Sequence, residues 1–210
     1  MMVTRPTFSA PLICIDNFLG NEHADKILQE CIDLRQQYEH GKIFDKLGTK
    51  KLDVRVRAND VLYIDDIFRD SPGRSDIISI LRVKISTGQC RDIWSQGHFL
   101  FDTINYSNRF DFVVSRYGTG NFYSKHRDTG VTKIRHPIVT LVYYVNREQG
   151  LFSGGALRLW NDDESISFQP KHNRVVVFPS SLIHEVESVT SSSDRWEDGR
   201  FSINLWTGFQ

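Results

Sequence analysis

A histidine is followed two residues later by a carboxylate in the segment 125–128, which reads Lys-His-Arg-Asp. If this segment is a strand, residues i and i+2 project to the same face, so His126 and Asp128 would point in the same direction. An imidazole nitrogen and a carboxylate oxygen can then occupy two adjacent positions of an octahedral metal site. Alone the triplet is a weak signal, because most His-x-Asp triplets are accidental.

A third ligand has to come from elsewhere in the chain. His184 follows a predicted strand–turn–strand corner that begins at Phe178. The strand-bearing segments between Asp128 and His184 could return the chain to the same end of a barrel. Two histidines and one carboxylate on one face leave the other metal positions open, as non-haem Fe(II) oxygenases require. Taken by itself, His184 is better interpreted as a core histidine with a satisfied hydrogen bond.

The segment 199–206 alternates between two kinds of side chain. One face of the predicted strand takes Phe201, Ile203 and Leu205, and the other takes Arg200, Ser202, Asn204 and Trp206. A polar face turned into a barrel is unfavourable unless a ligand satisfies it. The planar guanidinium of Arg200 suits a carboxylate, and Ser202 adds a hydroxyl. Beside a facial triad, this pair implies a small dicarboxylate; the alternative is an exposed edge strand.

Composition describes an ordinary globular chain. Of 210 residues, 40% are hydrophobic and 25% charged, which excludes general disorder. Equal numbers of basic and acidic residues, 26 each, argue against nonspecific binding to nucleic acid or membranes. Three cysteines without a CxxC motif predict buried, reduced thiols. With no signal-peptide pattern and no membrane-length apolar run, we expect a cytoplasmic protein.

The first half of the chain is predicted to mix helices and strands. We expect a strand at 11–19, a helix at about 21–38 with Asn21 as N-cap and Gly41 as its stop, basic loop or edge material at 42–57, a strand at 60–67, a turn at 71–73 and a helix at 76–85 capped by Ser75. The basic stretch 42–57 favours a solvated surface over a substrate-facing patch.

From about Phe99 onward, short β-type runs alternate with turns, a pattern typical of a barrel or sandwich. The chain is therefore predicted to be mainly β with a helical support layer. No linker separates the halves. We expect a single domain over 1–210, in which 1–98 is the helical and strand support and 99–210 the core.

Five motifs in order carry a family resemblance. They are Tyr117-x-x-Gly120-x-x-Tyr123-x-x-His126-x-Asp128, Gly154-Gly-Ala-Leu157, Pro170 with Val177-Phe178, His184-x-Val186, and Gly199-Arg200 with Trp206. Together they resemble the prolyl-4-hydroxylase-like branch of the Fe(II)/2-oxoglutarate dioxygenases. The resemblance covers about residues 111–209.

The resemblance implies a double-stranded β-helix, or jelly-roll, core. It implies His126, Asp128 and His184 as the Fe(II) ligands. It further implies that the distal carboxylate of 2-oxoglutarate is bound by Arg200, Ser202 and Tyr117, although Tyr117 reads equally well as an aromatic core residue. One of Thr140 and Tyr143, on the next strand, is expected to border the cosubstrate.

The chain departs from the family pattern in two places. Asn173 stands where the family often has a glycine, and Glu187 stands where a proline is usual. Neither position carries chemistry. The segment 190–198 is predicted to be a polar loop before the strand that begins at Arg200.

The resemblance implies a 2-oxoglutarate-dependent dioxygenase that uses Fe(II) and O₂, with ascorbate as a stimulant. The expected reaction is hydroxylation of an unactivated C–H of an amino-acid side chain, peptidyl or free, with release of succinate and CO₂. Asp128 favours hydroxylation, desaturation or ring closure over halogenation. Trp206 occupies the place of a second arginine in the related nucleic-acid repair enzymes, so no nucleic-acid partner is expected.

Three other functions stay open from the sequence alone. The first is a small-molecule oxygenase of the same mechanism. The second is a non-catalytic jelly-roll binding module, which does not explain why Arg200 and Ser202 should face the triad. The third is a hydrolytic zinc enzyme, since the ligand set alone does not fix the metal. Glu185 is expected to point away from His184, which gives the hydrolase little support.

Overall fold

The computed structural model describes residues 1–44, 49–129, 137–148 and 150–209. The helices are α1 (Asn21–Asp33), α2 (Ile64–Ile67), α3 (Asp76–Ile85), α4 (Gly88–Gly97) and α5 (Phe99–Asp102). Short 3₁₀ turns occupy Arg35–Gln37, Pro72–Arg74, Thr103–Tyr106 and Trp196–Asp198.

The strands of the first half are short: β1 (Met2–Thr4), β2 (Ile13–Asp16), β3 (Glu39–His40), β4 (Ile43–Phe44), β5 (Lys50–Lys51), β6 (Arg57–Ala58) and β7 (Asp60–Leu62). The second half carries β8 (Arg109–Tyr117), β9 (Phe122–His126), β10 (Val139–Val145), β11 (Phe152–Gly154), β12 (Leu157–Asn161), β13 (Glu164–Phe168), β14 (Arg174–Pro179), β15 (Ile183–Val186), β16 (Val189–Ser191) and β17 (Arg200–Gly208).

Two antiparallel sheets form the body of the protein. The larger has the order β1-β2-β14-β10-β17-β8-β7-β3, and the smaller has the order β13-β12-β15-β9-β6. Two further strand pairs, β11-β16 and β4-β5, lie outside them. The fold is mainly β, with the jelly-roll core that the sequence predicts.

The strand β17 shows why the larger sheet is buried on both faces. Phe201, Ile203 and Leu205 pack with the helices α1, α3 and α4 in one apolar core. The opposite face of the larger sheet meets the smaller sheet in a second core that includes Val142 and Leu159. Successive side chains of β17 point to opposite faces of the sheet. One set therefore packs against the helices, and the other set faces the space between the two sheets.

The two halves of the chain share one sheet. The strands β1, β2, β3 and β7 come from the first half and extend both edges of the larger sheet. Residues before position 98 and after it also contribute jointly to the larger apolar core. The single-domain organisation stays a prediction that this continuity supports.

The first helix differs from its prediction at both ends. Gly20, not Asn21, is the N-cap residue, and it offers no side-chain hydrogen bond. The α-helix ends at Asp33, and only a 3₁₀ turn continues it. Gly41 is therefore not the helix stop that we predicted.

Three other predictions for the first half have different outcomes. The helix α3 begins as predicted, because the Ser75 hydroxyl accepts a hydrogen bond from Ile78 N. The strand predicted at 60–67 ends at Leu62, where the short helix α2 follows. The stretch 42–57, predicted as loop or edge material, contains the short strands β4 and β5 and the first residue of β6, and its residues 45–48 lie outside the described part.

The helix α4 was not anticipated from the sequence. Its apolar side is narrow, since Cys90 and Trp94 are its buried residues. Trp94 is fully buried, and its indole N–H donates to Ile85 O over 3.0 Å. All three cysteines are buried and unpaired, as predicted. Within the described ranges, no helix has the length and apolar character needed to cross a membrane.

Candidate active site

His126, Asp128 and His184 meet between the sheets. His126 and His184 lie directly opposite each other on the antiparallel neighbours β9 and β15. Asp128 follows β9 and is held by a hydrogen bond from its backbone N–H to Ser180 O, 3.1 Å. One ligand atom from each of the three side chains lies within 4.8 Å of the others. Among the described residues, this is the one cluster of its kind.

Backbone carbonyls orient both imidazole rings. The Nδ1 atom of His126 lies 2.8 Å from Ser124 O, and that of His184 lies 2.9 Å from Leu182 O. A carbonyl oxygen can only accept, so each Nδ1 carries a proton, and Nε2 is the nitrogen left to bind a metal. The two Nε2 atoms lie 3.9 and 3.6 Å from the Asp128 carboxylate oxygens. Both rings therefore turn the nitrogen that could bind a metal toward Asp128.

A pair of hydroxyls holds the carboxylate. Thr140 donates to Asp128 Oδ2 over 2.7 Å, and its oxygen lies 2.8 Å from Ser180 Oγ. Since the Thr140 proton goes to Asp128, Ser180 must donate to Thr140. Of the two candidates on β10 expected to border the cosubstrate, Thr140 thus lies beside the triad. Tyr143 lies on the opposite face, in the core with the helices, where it donates to Asn173 Oδ1.

Burial sets the charge state of the cluster. It lowers the pKa of His126 to about 3, and His184 acts in the same direction. Burial acts to raise the pKa of Asp128, but the neighbouring histidines and the Thr140 hydroxyl outweigh it, so this pKa lies below its usual value. The indole N–H of Trp206 also lowers the pKa of Asp128. It is buried, and it makes no hydrogen bond of normal geometry to the described residues. Neutral histidines and an ionised carboxylate are the protonation states that bind a cation.

Arg200 is fully buried and has no acidic partner among the described residues. Its Nε donates to Gly155 O over 3.1 Å, and its Nη1 donates to Ser202 Oγ over 2.9 Å. Its Nη2 has no hydrogen-bond partner within the described part of the chain. None of the ion pairs found among the described residues involves Arg200. A buried cation with an unsatisfied N–H requires an anion to compensate it.

Two tyrosine rings enclose the guanidinium. Tyr117, opposite Arg200 on β8, has its ring centre 4.7 Å from the guanidinium carbon, and Tyr144, opposite Ser202 on β10, has its ring centre at 4.9 Å. The Tyr144 hydroxyl is buried and has no hydrogen-bond partner in the described residues. Two neighbouring side chains, Arg200 and Tyr144, therefore each carry a buried donor without a partner in the described residues.

The glycine pair 154–155 makes room for Arg200. Both residues adopt positive φ, 72° and 66°. A Cβ at Gly154 would lie 2.2 Å from Ser188 O, and a Cβ at Gly155 would lie 2.8 Å from Val189 Cγ2 and 3.3 Å from Arg200 Cδ. Glycine adopts positive φ without strain and has no Cβ to meet these neighbours. The glycine pair therefore allows the backbone to lie close to the Arg200 side chain.

Tyr144 lies beside Arg200 at a place that the sequence did not indicate. The strand β10 is buried along its whole length, so no alternation of polar and apolar residues distinguishes Tyr143 from Tyr144. The signal that could have found Tyr144 was the register: it shares a face with Thr140, four residues earlier. Trp206 shares the face of Arg200 and Ser202, as the alternation of β17 predicted.

The donors present fit both groups that the resemblance implies. Two imidazoles and one carboxylate, facing each other, suit Fe(II) and leave positions for other ligands. The unsatisfied guanidinium nitrogen and the buried tyrosine hydroxyl suit a carboxylate. These two sets lie on facing walls of the space between the sheets.

Comparisons with known proteins agree with this geometry. The family described as the 2OG-Fe(II) oxygenase superfamily matches residues 112–208. An uncharacterised PKHD-type hydroxylase of Synechocystis sp. is 28% identical over 206 residues, which cover 91% of this chain and 61% of that protein. This chain thus spans about 61% of the length of that curated relative.

Solved structures share the fold at low sequence identity. A prolyl hydroxylase of Trichoplax adhaerens, in complex with a peptide fragment of the hypoxia inducible factor oxygen degradation domain, has a TM-score of 0.69 at 22% identity and covers 95% of this chain and 84% of its own. A prolyl-4-hydroxylase of Pseudomonas putida has a TM-score of 0.62 at 19% identity. The match covers 96% of this chain and 94% of the Pseudomonas putida chain.

A viral collagen prolyl hydroxylase of Paramecium Bursaria Chlorella virus-1, in complex with 2OG, has a TM-score of 0.57 at 17% identity and covers 95% of this chain and 96% of its own. These likenesses concern the fold. The second half of the chain, residues 112–208, is thus similar to the 2OG-Fe(II) oxygenase superfamily, and the whole chain shares its fold with prolyl hydroxylases.

Proposed function

We propose that this chain is an Fe(II)- and 2-oxoglutarate-dependent dioxygenase that hydroxylates an unactivated C–H of an amino-acid side chain, peptidyl or free. Succinate and CO₂ are the coproducts. The observation that carries the proposal is the buried, unsatisfied Nη2 of Arg200 in the space that also holds the His–Asp–His cluster. Neither a binding module nor a zinc hydrolase requires an anion at this nitrogen, whereas 2-oxoglutarate supplies one.

His126, Asp128 and His184 would hold the iron. Bound Fe(II), with 2-oxoglutarate and O₂, supplies the oxidising power for C–H cleavage, which no protein side chain can provide. The chain contributes two ring nitrogens oriented by carbonyls and one carboxylate fixed by Thr140. Because these ligands are already oriented, little rearrangement is required on binding.

Arg200 would bind the distal carboxylate of 2-oxoglutarate through Nη2, with Tyr144 as a second donor. Ser202 accepts from Nη1 and Gly155 O accepts from Nε, so two of the guanidinium nitrogens are anchored and the third is available. The tyrosine rings on either side exclude water from this ion pair, which strengthens it. Tyr117 would contribute its ring at 4.7 Å, and the hydroxyl contact predicted for it is part of the proposal.

The amino-acid substrate is supported by the relatives. One relative is named a hydroxylase of the PKHD type, and one structural neighbour was solved with a peptide. Those names describe the other proteins, so the substrate of this chain is a proposal. O₂ as a cosubstrate and stimulation by ascorbate belong to the same proposal.

Turnover tests this function directly. Purified protein would be incubated with Fe(II), 2-oxoglutarate and O₂, together with proline-containing peptides or free amino acids. We expect succinate release and a product heavier by one oxygen atom, both absent in Asp128→Ala. Ascorbate omitted from one arm tests its stimulation. Release of succinate by Asp128→Ala at the wild-type rate would contradict the ligand assignment. If the protein oxidises only compounds that are neither amino acids nor peptides, the proposed substrate class is wrong.

A further inference from the structure

A planar stack runs from the candidate metal centre to the edge of the smaller sheet. The Tyr123 ring lies on His126, with ring centres 3.6 Å apart and planes inclined by 16°. The guanidinium carbon of Arg57 also lies over the Tyr123 ring, 4.5 Å from its centre. His184 has a different environment, since Phe178 meets its ring edge-on at 66°.

A β-bulge produces this stack. In a regular strand, residues three apart point to opposite faces, so Tyr123 and His126 should not meet. Here His184 pairs with His126 and Val186 pairs with Tyr123, which leaves one extra residue on β9 between the two pairs. The extra residue turns Tyr123 to the His126 face. Bulges next to active sites characteristically redirect a side chain in this way.

The guanidinium of Arg57 is itself fixed. Its Nε donates to Asn59 Oδ1 over 2.7 Å, and its Nη1 donates to Lys42 O over 3.2 Å. Asn59 is buried. A Cβ at Gly41 would lie 2.2 Å from Asn59 Oδ1 and 2.7 Å from Arg57 Nε, so the absence of a side chain at Gly41 leaves space for both. The chain thus holds a rigid plane against Tyr123.

We infer that Arg57 is a positioning residue for the metal ligand His126 and that it acts through Tyr123. The hydrogen bond from Nδ1 to Ser124 O directs the His126 ring but leaves its tilt unrestrained. The side chain of His126 is also the more exposed of the two histidines, 18% against 6% for His184. The Tyr123 ring restrains that tilt, and Arg57 prevents Tyr123 from moving away.

This inference rests on the proposed function at one point, that His126 binds the metal. It extends the site into the first half of the chain, which the family match at 112–208 does not include. It also gives a role to Arg57, which lies in the basic stretch that we expected to be a solvated surface.

Co(II) binding to the metal-free protein tests the inference without any turnover. The dissociation constant and the visible ligand-field spectrum would be measured for wild type, Arg57→Ala, Arg57→Lys, Tyr123→Leu and Tyr123→Phe. Arg158→Ala is the matched control: Arg158 lies over the Trp160 ring on the same sheet, on the opposite face from His184. Thermal unfolding of each metal-free variant separates positioning from folding.

We expect Arg57→Ala and Tyr123→Leu to weaken Co(II) binding by roughly tenfold or more and to change the ligand-field bands. Arg57→Lys should behave like Arg57→Ala, because an ammonium has no plane to stack. Tyr123→Phe keeps the ring and should stay within about twofold of wild type. Arg158→Ala should bind like wild type, and metal-free Arg57→Ala should unfold near the wild-type temperature.

Three results would overturn the inference. Wild-type Co(II) affinity in Arg57→Ala and Tyr123→Leu would reject it while leaving the proposed function intact. Full recovery in Arg57→Lys would show that charge acts rather than the stack. A folded wild-type protein that binds no Co(II) would contradict the proposed function and the inference together. If Tyr123→Leu fails to fold, Arg57→Ala, Arg57→Lys and Tyr123→Phe still decide the question.

Discussion

At the scale of single residues, Arg200 gives the most direct prediction. We expect Arg200→Ala to weaken 2-oxoglutarate binding by about two to four decades, or about 3–5 kcal/mol, because the buried carboxylate would lose its only charged partner. Isothermal titration under anaerobic conditions measures this affinity. Arg158→Ala removes a half-exposed arginine of the other sheet and should leave the affinity unchanged. Equal affinity in Arg200→Ala and wild type would reject the assignment.

Two adjacent tyrosines on β10 should respond in opposite ways. Tyr144→Phe removes a hydroxyl that has no partner, so the metal-free protein should not lose stability, whereas 2-oxoglutarate affinity should fall by about tenfold. Tyr143→Phe removes a buried hydrogen bond to Asn173, so the free energy of unfolding should drop by about 1 kcal/mol with no change in affinity. Urea unfolding measures the stability of both variants, and ligand titration measures their affinity for 2-oxoglutarate. If Tyr143→Phe loses affinity and Tyr144→Phe loses stability, Tyr144 is not the tyrosine that contacts 2-oxoglutarate.

The residue scale also shows how far spacing alone could predict the site. The His-x-Asp spacing occurs twice, and His23 with Asp25 lies on α1, exposed to solvent. Residues i and i+2 do not share a face of a helix, so the same spacing there makes no site. The prediction for His126 depended on the strand around it and on the later motifs, not on the triplet.

At the scale of elements, the turn 154–155 supports the arginine pocket. Gly155→Ala should lower the free energy of unfolding by about 1–3 kcal/mol, since it adds a Cβ at φ 66° against Val189 and Arg200. It should also weaken 2-oxoglutarate binding. Gly150→Ala is the control, because Gly150 has φ 89° but open space around it. If both variants lose the same stability and neither loses affinity for 2-oxoglutarate, the effect of Gly155→Ala comes from backbone strain alone and not from contact with Arg200.

Strands whose two faces differ in polarity could be predicted best from the sequence. The alternation of β17 correctly separated the Arg200 face from the Phe201 face, although both faces are largely buried. The same reasoning failed on β10, whose two faces are similar in polarity, and on α4, whose apolar side has few residues. The bulge that joins Tyr123 to His126 left no local signal, since it depends on the partner strand β15.

The loop 190–198 illustrates a prediction that packing changed. Its composition is polar, but β16 and a 3₁₀ turn order it, and the buried Asp198 accepts a hydrogen bond from Ser193 over 2.7 Å. Trp196 packs between Tyr38 and Phe201, with ring centres at 5.0 and 5.4 Å. These contacts fix the chain just before Arg200.

At the scale of the whole molecule, an ion pair links β2, from the start of the chain, to its neighbour β14 in the larger sheet. Arg174 on β14 donates to both carboxylate oxygens of Asp16 on β2, at 2.6 and 3.0 Å. These hydrogen bonds hold the pKa of Asp16 below its usual value, against the effect of burial. A folded-state pKa below the unfolded one stabilises the fold above about pH 4, and this contribution is lost as the pH falls toward the folded-state pKa.

We therefore expect the free energy of unfolding to decline between about pH 5 and pH 3 partly through Asp16. In Asp16→Asn this decline should be smaller and the stability at neutral pH lower. Asp66→Asn, which removes an exposed partner of Arg69, should leave the decline unchanged. Urea unfolding across that range measures the difference, and parallel pH curves for wild type and Asp16→Asn would disprove the contribution.

The central claim is that the His–Asp–His cluster and Arg200 together bind Fe(II) and 2-oxoglutarate. Its most direct test is an anaerobic titration of the metal-free protein with Fe(II) and 2-oxoglutarate, followed through the visible metal-to-ligand charge-transfer band. We predict a band that saturates in the wild type, is absent in Asp128→Ala and requires far more 2-oxoglutarate in Arg200→Ala. A folded wild-type protein that develops no band would contradict the claim.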